Sequence, residues 1–255
     1  MKKLLIFLLL AACLVAETAD GILEKSRDRL SLPGSEAVMT LRITSSNGRQ
    51  RVRKIAMASK LFDEDLEKRI IRFVEPSTVA GMGMLIEDYK TEDDNMWIYL
   101  PVKGSARRMK SSEKSSSFMG SEFTNGDMSG LDPNEFNSTI IGYEKIGNYI
   151  CAVIESVPST EELAGNMGWS RKRTWMDTTR FVPLKAHFFN TGNELKKEMT
   201  VLDIKLMDDK QKLYSLTGMR IKNIQSGRSS TLTMDRIELN PDVNSDYFTV
   251  GYLSK

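Results

Sequence analysis

The 255-residue sequence predicts a mainly β protein in which a large, curled antiparallel sheet is accompanied by one N-terminal helix. Three observations lead to this α+β prediction. Many short segments alternate apolar and polar residues with a period of two, which is typical of strands with one buried face. Turn residues separate most of these segments at spacings that fit antiparallel hairpins. A long polar stretch, 111–136, interrupts the series at mid-chain.

The first predicted elements are a helix and a hairpin. Segment 19–30 has the period of an amphipathic helix, and Leu32-Pro33-Gly34 ends it. Asn47-Gly48 then joins two strands in a hairpin, because both residues tolerate positive φ. The apolar side of the helix carries Ile22, Leu23, Ser26 and Leu30.

The period-two pattern continues to the C-terminus. A sheet of eight or more twisted strands tends to curl. We therefore expect the helix and the polar stretch 111–136, with short helical turns, to act as a lid over one face and to leave a groove beneath it. The predicted strands are 38–44, 51–59, 68–74, 79–86, 96–100, 106–110, 140–143, 149–157, 170–177, 183–189, 194–205, 213–223 and 230–239.

The first residues predict export from the cytoplasm. Two lysines precede an unbroken apolar run, Leu4 to Leu10, and small residues follow, which is the pattern of a secretory signal. The run is too short to span a membrane, which needs about 20 apolar residues. Cleavage after Ala16 would leave a soluble periplasmic chain, 17–255. The lipobox-like Leu10-Ala11-Ala12-Cys13 would instead remove 1–12 and anchor the protein through a lipidated Cys13.

Composition narrows the classes of function. The two cysteines, Cys13 and Cys151, exclude a disulfide framework, and Cys151 is predicted to be a buried small apolar residue. Lysine and arginine number 36 against 34 acidic residues, a balance that argues against nucleic acid as a partner. The 15 methionines fit either an adaptable apolar binding surface or core filling, and both interpretations stay open.

No catalytic or metal site is predicted. The only histidine, His187, lies in an alternating segment, and no serine occupies a G-x-S-x-G elbow. Ser111 to Lys114 fits S-x-x-K, but the companion motifs of that enzyme class are absent. The acidic run Glu92 to Asp94 is expected to be a solvated turn. We therefore predict a protein without enzymatic activity, cofactor or metal.

The stretch from Trp97 to Asp127 favours binding. Alternation places Trp97 and Tyr99 on one face of a strand, where they could line a core or a cavity. Arg107 and Arg108 follow on the return strand and point to opposite faces, so at most one would face a ligand. Arginine beside an apolar pocket suits an anionic head group. Ordinary strand packing with exposed arginines is the alternative.

Four motifs carry a family resemblance: Arg72-Phe73-Val74-Glu75-Pro76, Gly81-Met82-Gly83-Met84-Leu85, Trp97-Ile98-Tyr99-Leu100-Pro101 with Arg107-Arg108, and Ser117 to Phe123. Together they resemble the bacterial outer-membrane lipoprotein-sorting (LolA-like) family, in its larger, mostly uncharacterised branch. The similarity covers nearly the whole mature chain and ends at 246–250. No cargo-contacting arginine of the carriers aligns with Arg51, Arg53 or Arg107.

The resemblance implies an incomplete β-barrel, with a sheet curled around helices that act as a lid over an apolar cavity. In the carriers of this superfamily that cavity encloses the acyl chains of a lipoprotein. It implies here a single LolA-like lipid-binding domain, 17–255, in a monomeric periplasmic carrier of lipid or acylated lipoprotein. An inner-membrane transporter or an outer-membrane receptor would be its partner.

Two other functions stay open on the same fold. One is a regulatory module of the envelope-stress type, which binds a membrane-anchored partner. The other is a lipid hydrolase, which would depend on His187. For the carrier, Arg107 and Arg108 are the candidate head-group ligands, and the candidate cavity residues are Met82, Met84, Leu85, Trp97, Tyr99, Phe118 and Met119.

Overall fold

The computed structural model describes residues 17–130 and 132–255. The predicted signal segment, both of its cleavage points and Cys13 therefore lie outside the described residues. Within the described ranges, thirteen strands form one antiparallel sheet. The strands are β1 (Gly34–Thr44), β2 (Gln50–Leu61), β3 (Leu66–Glu75), β4 (Gly83–Tyr89), β5 (Asn95–Leu100), β6 (Ser105–Arg108), β7 (Phe136–Ile146), β8 (Tyr149–Pro158), β9 (Arg171–Asp177), β10 (Pro183–Phe189), β11 (Leu195–Asp208), β12 (Leu213–Asn223) and β13 (Ser229–Leu239).

The sheet is open. Its order is β6-β5-β4-β3-β2-β1-β13-β12-β11-β10-β9-β8-β7. Sequence neighbours pair throughout except for β6 and β7, and β1 and β13 are the one pair that is not consecutive in sequence. Strands β6 and β7 are the two edges and do not pair with each other. The predicted incomplete barrel of antiparallel hairpins is therefore confirmed.

The junction between β1 and β13 requires close backbone approach. Asn240 N donates to the Gly34 carbonyl at 2.9 Å. A Cβ atom on Gly34 would lie only 2.2 Å from the carbonyl oxygen of Asn240. Glycine at this position therefore lets the two halves of the sheet join.

The sheet has two distinct faces. We call the face that carries Met39, Met57 and Ile71 the inner face, and the opposite face, with Ala58 and Ile70, the outer face. Beside β2 to β5 the outer face is covered by the C-terminal segment (241–253), which ends in the short helix α3. Helix α3 has the bounds Val250–Leu253.

The predicted N-terminal helix is confirmed as α1, Ala19–Leu30. The hydroxyl of Thr18 caps it by accepting from Gly21 N at 3.1 Å. Buried Ala19 and Ile22 pack against Ala152 and Ile154 on the inner face. The helix therefore covers the inner face beside β7 and β8.

Two features differ from the sequence prediction. The strand predicted over 79–86 begins only at Gly83, because a turn precedes it in which Val79 N and Ala80 N both donate to the Pro76 carbonyl. Helix α2 (Glu161–Met167) and helix α3 were not predicted. Both are shorter than the window over which a helical period is visible in a sequence.

We expect Gly34→Ala to destabilise the protein by roughly 1–3 kcal/mol, the usual range for overpacking, because the added methyl group meets rigid backbone. Urea unfolding followed by circular dichroism measures the change. Gly251→Ala is the matched control, since nothing lies within 4 Å of its Cβ position. Equal stability of the two variants would contradict the close-approach argument.

Candidate functional site

A cavity of about 440 Å³ lies between the inner face, helix α1 and the mid-chain segment, which we define as residues 111–130. Strands β1 to β4 and β7 to β13 contribute to its wall, and α1 contributes Leu23, Ser26, Arg27 and Leu30. Its volume falls within the range of about 300–1,000 Å³ that is usual for small-molecule sites. The groove predicted between sheet and covering elements is therefore present.

Methionine is the most frequent apolar residue on the wall of the cavity. Eight of the 15 methionines in the sequence line it. Methionine is flexible and polarizable, so a wall built from it can adapt to ligands of different shape. Met57, Met128, Met199, Met219 and Met234 are partly buried, and for these five the structure favours the adaptable surface. Met39, Met167 and Met176 also line the cavity but are buried members of the core, so they fit core filling as well.

The predicted cavity residues on the inner face lie outside this cavity. Met84 and Phe118 are buried in the apolar core beside it, and Met82 and Met119 pack against the same core. The ring of Phe118 lies 5.6 Å from that of Phe73. These side chains pack together under the β4 end of the sheet.

The other predicted cavity residues lie on the outer face. Leu85 is buried, and Trp97 and Tyr99 pack with it against Phe248 and Leu253 of the C-terminal segment. Trp97 and Tyr99 do share one face of β5, as predicted, but that face belongs to a packed core. A role for these seven residues in binding an acyl chain stays a prediction.

The two predicted head-group arginines are also outside the cavity. Both lie on the edge strand β6 and are exposed. Arg107 forms a two-pronged ion pair with Glu113, at 2.7 and 2.8 Å, and this pair lowers the pKa of Glu113 to about 2. Arg108 donates to the Asn95 side chain. Each guanidinium is already paired with a side chain of the protein.

Contacts of Glu122 with the sheet hold the mid-chain segment in place. The Glu122 carboxylate is buried, lies 2.9 Å from Arg228 Nε and accepts from Asn223 Nδ2 at 3.0 Å. Its carbonyl accepts from Lys197 Nζ at 2.6 Å, and its backbone N–H donates to Ser230 Oγ at 2.9 Å. Every polar group of this residue is therefore satisfied by the sheet.

Two inner-face arginines hold the same segment through its backbone. Arg53 donates to the carbonyl of Met119, and Arg69 donates to the carbonyl of Met128. Met119 and Gly120 have positive φ, 52° and 78°, which turns the chain between buried Phe118 and Glu122. The motif Ser117 to Phe123 thus has a structural role in closing the cavity.

An acidic pair joins both covering elements to β4. Asp88 lies 2.7 Å from Arg27 of α1 and accepts from Gly130 N at 2.6 Å. Asp94 lies nearby, with Lys114 Nζ at 3.6 Å. Burial, and then the charge of Asp88, raise the pKa of Asp94 to about 6, although Lys114 opposes the shift. The predicted solvated turn is therefore partly wrong, because Asp94 is held under the mid-chain segment.

The histidine predicted in an alternating strand lies on β10 and packs against a tryptophan. The ring of His187 packs against Trp175, with centroids 4.7 Å apart, and its Nε2 lies 3.4 Å from Glu198. Burial, and then Lys185, lower the pKa of His187. Among residues 17–130 and 132–255, no group of three metal-ligating side chains could hold a metal ion. Cys151 is buried, as predicted.

We expect Glu122→Ala to lower the free energy of unfolding by about 1–3 kcal/mol, because it leaves buried partners without their charged acceptor. Urea unfolding at neutral pH measures the loss. Glu238→Ala, which removes an exposed pair with Arg236, should leave the free energy of unfolding nearly unchanged. If both variants were equally stable, Glu122 would not be the fastening residue.

The raised pKa of Asp94 predicts how the stability of the protein depends on pH. The folded pKa of Asp94, about 6, lies above its ordinary value of 3.8. Its stabilising contribution is therefore fully present below about pH 4 and is lost as the pH rises through about 6. Asp94→Asn should gain roughly 1–3 kcal/mol of stability relative to wild type between pH 4 and pH 7.5. Asp93→Asn, at an exposed position, is the control and should show no such gain. If stability followed pH in the same way in wild type and in Asp94→Asn, the pKa shift would be contradicted.

No helix in 17–130 or 132–255 has the length and apolar character needed to cross a membrane. None of the curated proteins compared with the chain matches it. A family model described as "Uncharacterized protein" matches residues 65–255. Solved structures match over almost the whole chain.

A domain from Vibrio parahaemolyticus described as an outer-membrane lipoprotein-sorting protein is similar, with 24% identity and a TM-score of 0.83 over 92% of this chain and 97% of that one. A DUF1329 family protein from Desulfovibrio piger has 23% identity and a TM-score of 0.81, covering 91% and 96%. A LolA superfamily protein from Nitrosomonas europaea has 19% identity and a TM-score of 0.69, covering 92% and 99%. Their similarity shows that the fold of this chain is that of the LolA-like proteins. Because the family model described as "Uncharacterized protein" covers residues 65–255, more than half of the chain, the chain belongs to that family.

Proposed function

We propose that this protein binds the acyl chain of a lipid or an acylated lipoprotein in its cavity and carries it within the bacterial envelope. The observation that supports this most strongly is the methionine-rich cavity of about 440 Å³ between the inner face and α1. Residues 17–255 would act as one binding domain, in the periplasm if the predicted signal segment is removed.

The energetics fit transport of an acyl chain. Each methylene moved from water into an apolar cavity contributes about 0.8 kcal/mol. A flexible methionine wall can follow a chain of variable conformation without a rigid fit. The wall therefore provides affinity that depends on apolar area more than on the identity of the chain.

Release needs a way to open the cavity. Helix α1 is fastened to β4 by the ion pair of Arg27 with Asp88, and the mid-chain segment is fastened by Glu122 and Arg69. These polar contacts are few compared with the apolar residues that line the cavity. A partner such as an inner-membrane transporter or an outer-membrane receptor could exchange cargo by competing for them. Lipidation of Cys13 would make the protein a tethered acceptor.

Binding of N-phenyl-1-naphthylamine, a neutral fluorescent apolar probe, tests the proposed cavity. Met219→Trp should weaken probe binding about tenfold, because the larger ring removes space worth roughly two methylenes. Leu202→Trp is the matched control, since Leu202 is exposed and does not line the cavity. It should bind the probe like wild type.

Urea unfolding of both variants would show whether they are folded. No probe binding by the wild-type protein, or unchanged binding by a folded Met219→Trp variant, would overturn the acyl-binding proposal. Native mass spectrometry of protein purified from envelope extract would then identify the bound lipid or lipoprotein.

A further inference from the structure

One cationic side chain on the cavity wall differs from the others. Lys172 lies on the inner face of β9, and its cross-strand neighbours are Ser156 on β8 and Phe188 on β10. All three line the cavity. The lysine side chain is half-buried, because the cavity leaves part of it accessible while protein surrounds the rest.

The other cations that line the cavity, Arg27 of α1, Arg69 and Lys90, and the inner-face Lys197 have partners in the protein. Lys90 lies 3.5 Å from Asp28. Arg27 is paired with Asp88, Arg69 donates to Met128, and Lys197 donates to Glu122. Among the described residues, the Lys172 ammonium has neither a carboxylate within ion-pair distance nor a hydrogen-bond acceptor. Its nearest specific contact is the Phe188 ring, whose centroid lies 5.3 Å away.

The surroundings of Lys172 show that its charge lacks compensation. Burial lowers the pKa of its ammonium group, and the only charge that opposes this shift is that of Asp127. The Asp127 carboxylate accepts from Thr124 N at 2.7 Å, so it is already held by the mid-chain segment. A buried cation is stabilised strongly when an anion comes within hydrogen-bond distance of it.

Hydroxyl groups beside Lys172 complete a polar patch on the wall. Ser138 and Ser156 share a hydrogen bond of 2.9 Å on neighbouring strands, and Thr174 lies two residues along β9 on the same face. All three line the cavity. Hydroxyls can donate to a carboxylate or phosphate oxygen next to the ammonium group. The patch lies against an apolar wall, which is the arrangement that an amphiphile with one charged end requires.

We propose that Lys172 binds the anionic group of an amphiphile, a carboxylate or a phosphate, whose acyl chain occupies the methionine-lined cavity. This inference rests on the proposed acyl-binding function and adds the charge of the ligand to it. Asp127 competes with the ligand for the lysine. Lys172 provides charge selectivity, whereas the methionines provide affinity for the chain.

The test compares 11-(dansylamino)undecanoic acid with its methyl ester, which lacks the negative charge and carries one additional methyl group. Wild type should bind the acid at least about tenfold more tightly than the ester, the scale of one charge-assisted hydrogen bond. Lys172→Met keeps an unbranched apolar side chain and should lose this preference by weakening only the acid. Asp127→Asn should strengthen binding of the acid. Lys222→Met, at an exposed position on β12, is the control and should behave like wild type.

The outcomes separate the two proposals. Wild-type protein that binds neither probe would overturn the acyl-binding function together with this inference. Equal binding of acid and ester by wild type, or an unchanged preference in a folded Lys172→Met variant, would leave the acyl site intact and overturn the role of Lys172. Displacement of the acid by oleate or by lysophosphatidate would support the inference and show which head group binds. Displacement by inorganic phosphate alone would overturn the amphiphile assignment.

Discussion

The inner face of the sheet is broader than the elements that cover it, and the cavity follows from this constraint. Thirteen strands present one apolar face, whereas a 12-residue helix and one irregular segment cover it. Where the mid-chain segment reaches the sheet, Phe118 and Phe123 complete a packed core. Beyond their reach a cavity remains, and eight methionines are among the residues that line it. The cavity therefore results from the mismatch between the sheet and its covering elements, and flexible methionine side chains can line it without closing it.

An irregular segment can cover an apolar face only if its backbone polar groups find partners. Here the sheet supplies them with long cationic side chains. Arg53, Arg69 and Lys197 extend from the inner face to the carbonyls of Met119, Met128 and Glu122. Arginine and lysine suit this role because their apolar stems lie along the core while their charged ends reach outward. Because polar contacts hold the mid-chain segment to the sheet, its attachment does not depend on whether the cavity beneath it is filled.

Much of the fold could be predicted from the sequence, because strand alternation is a local signal. The bounds of α1, of β10 and of β12 agree with the predicted segments, as does the irregular character of the mid-chain stretch. The pairing of β1 with β13 could not be read locally, since it joins residues some two hundred positions apart. The surroundings of the predicted binding residues could not be read locally for a related reason. Trp97 and Tyr99 alternate like cavity residues, but only the packing of the C-terminal segment decides that their face is a core.

The same argument explains why Lys172 carries no local signal. It stands in the run Arg171-Lys172-Arg173, in which the sequence offers three cations of equal appearance. Arg171 and Arg173 both point to Glu155 on the outer face and are paired there. Alternation turns Lys172 alone to the inner face, where strand pairing brings Ser156 and Phe188 beside it. A charge placed between paired neighbours, yet left without a partner itself, is explained most simply by a ligand that supplies the missing anion.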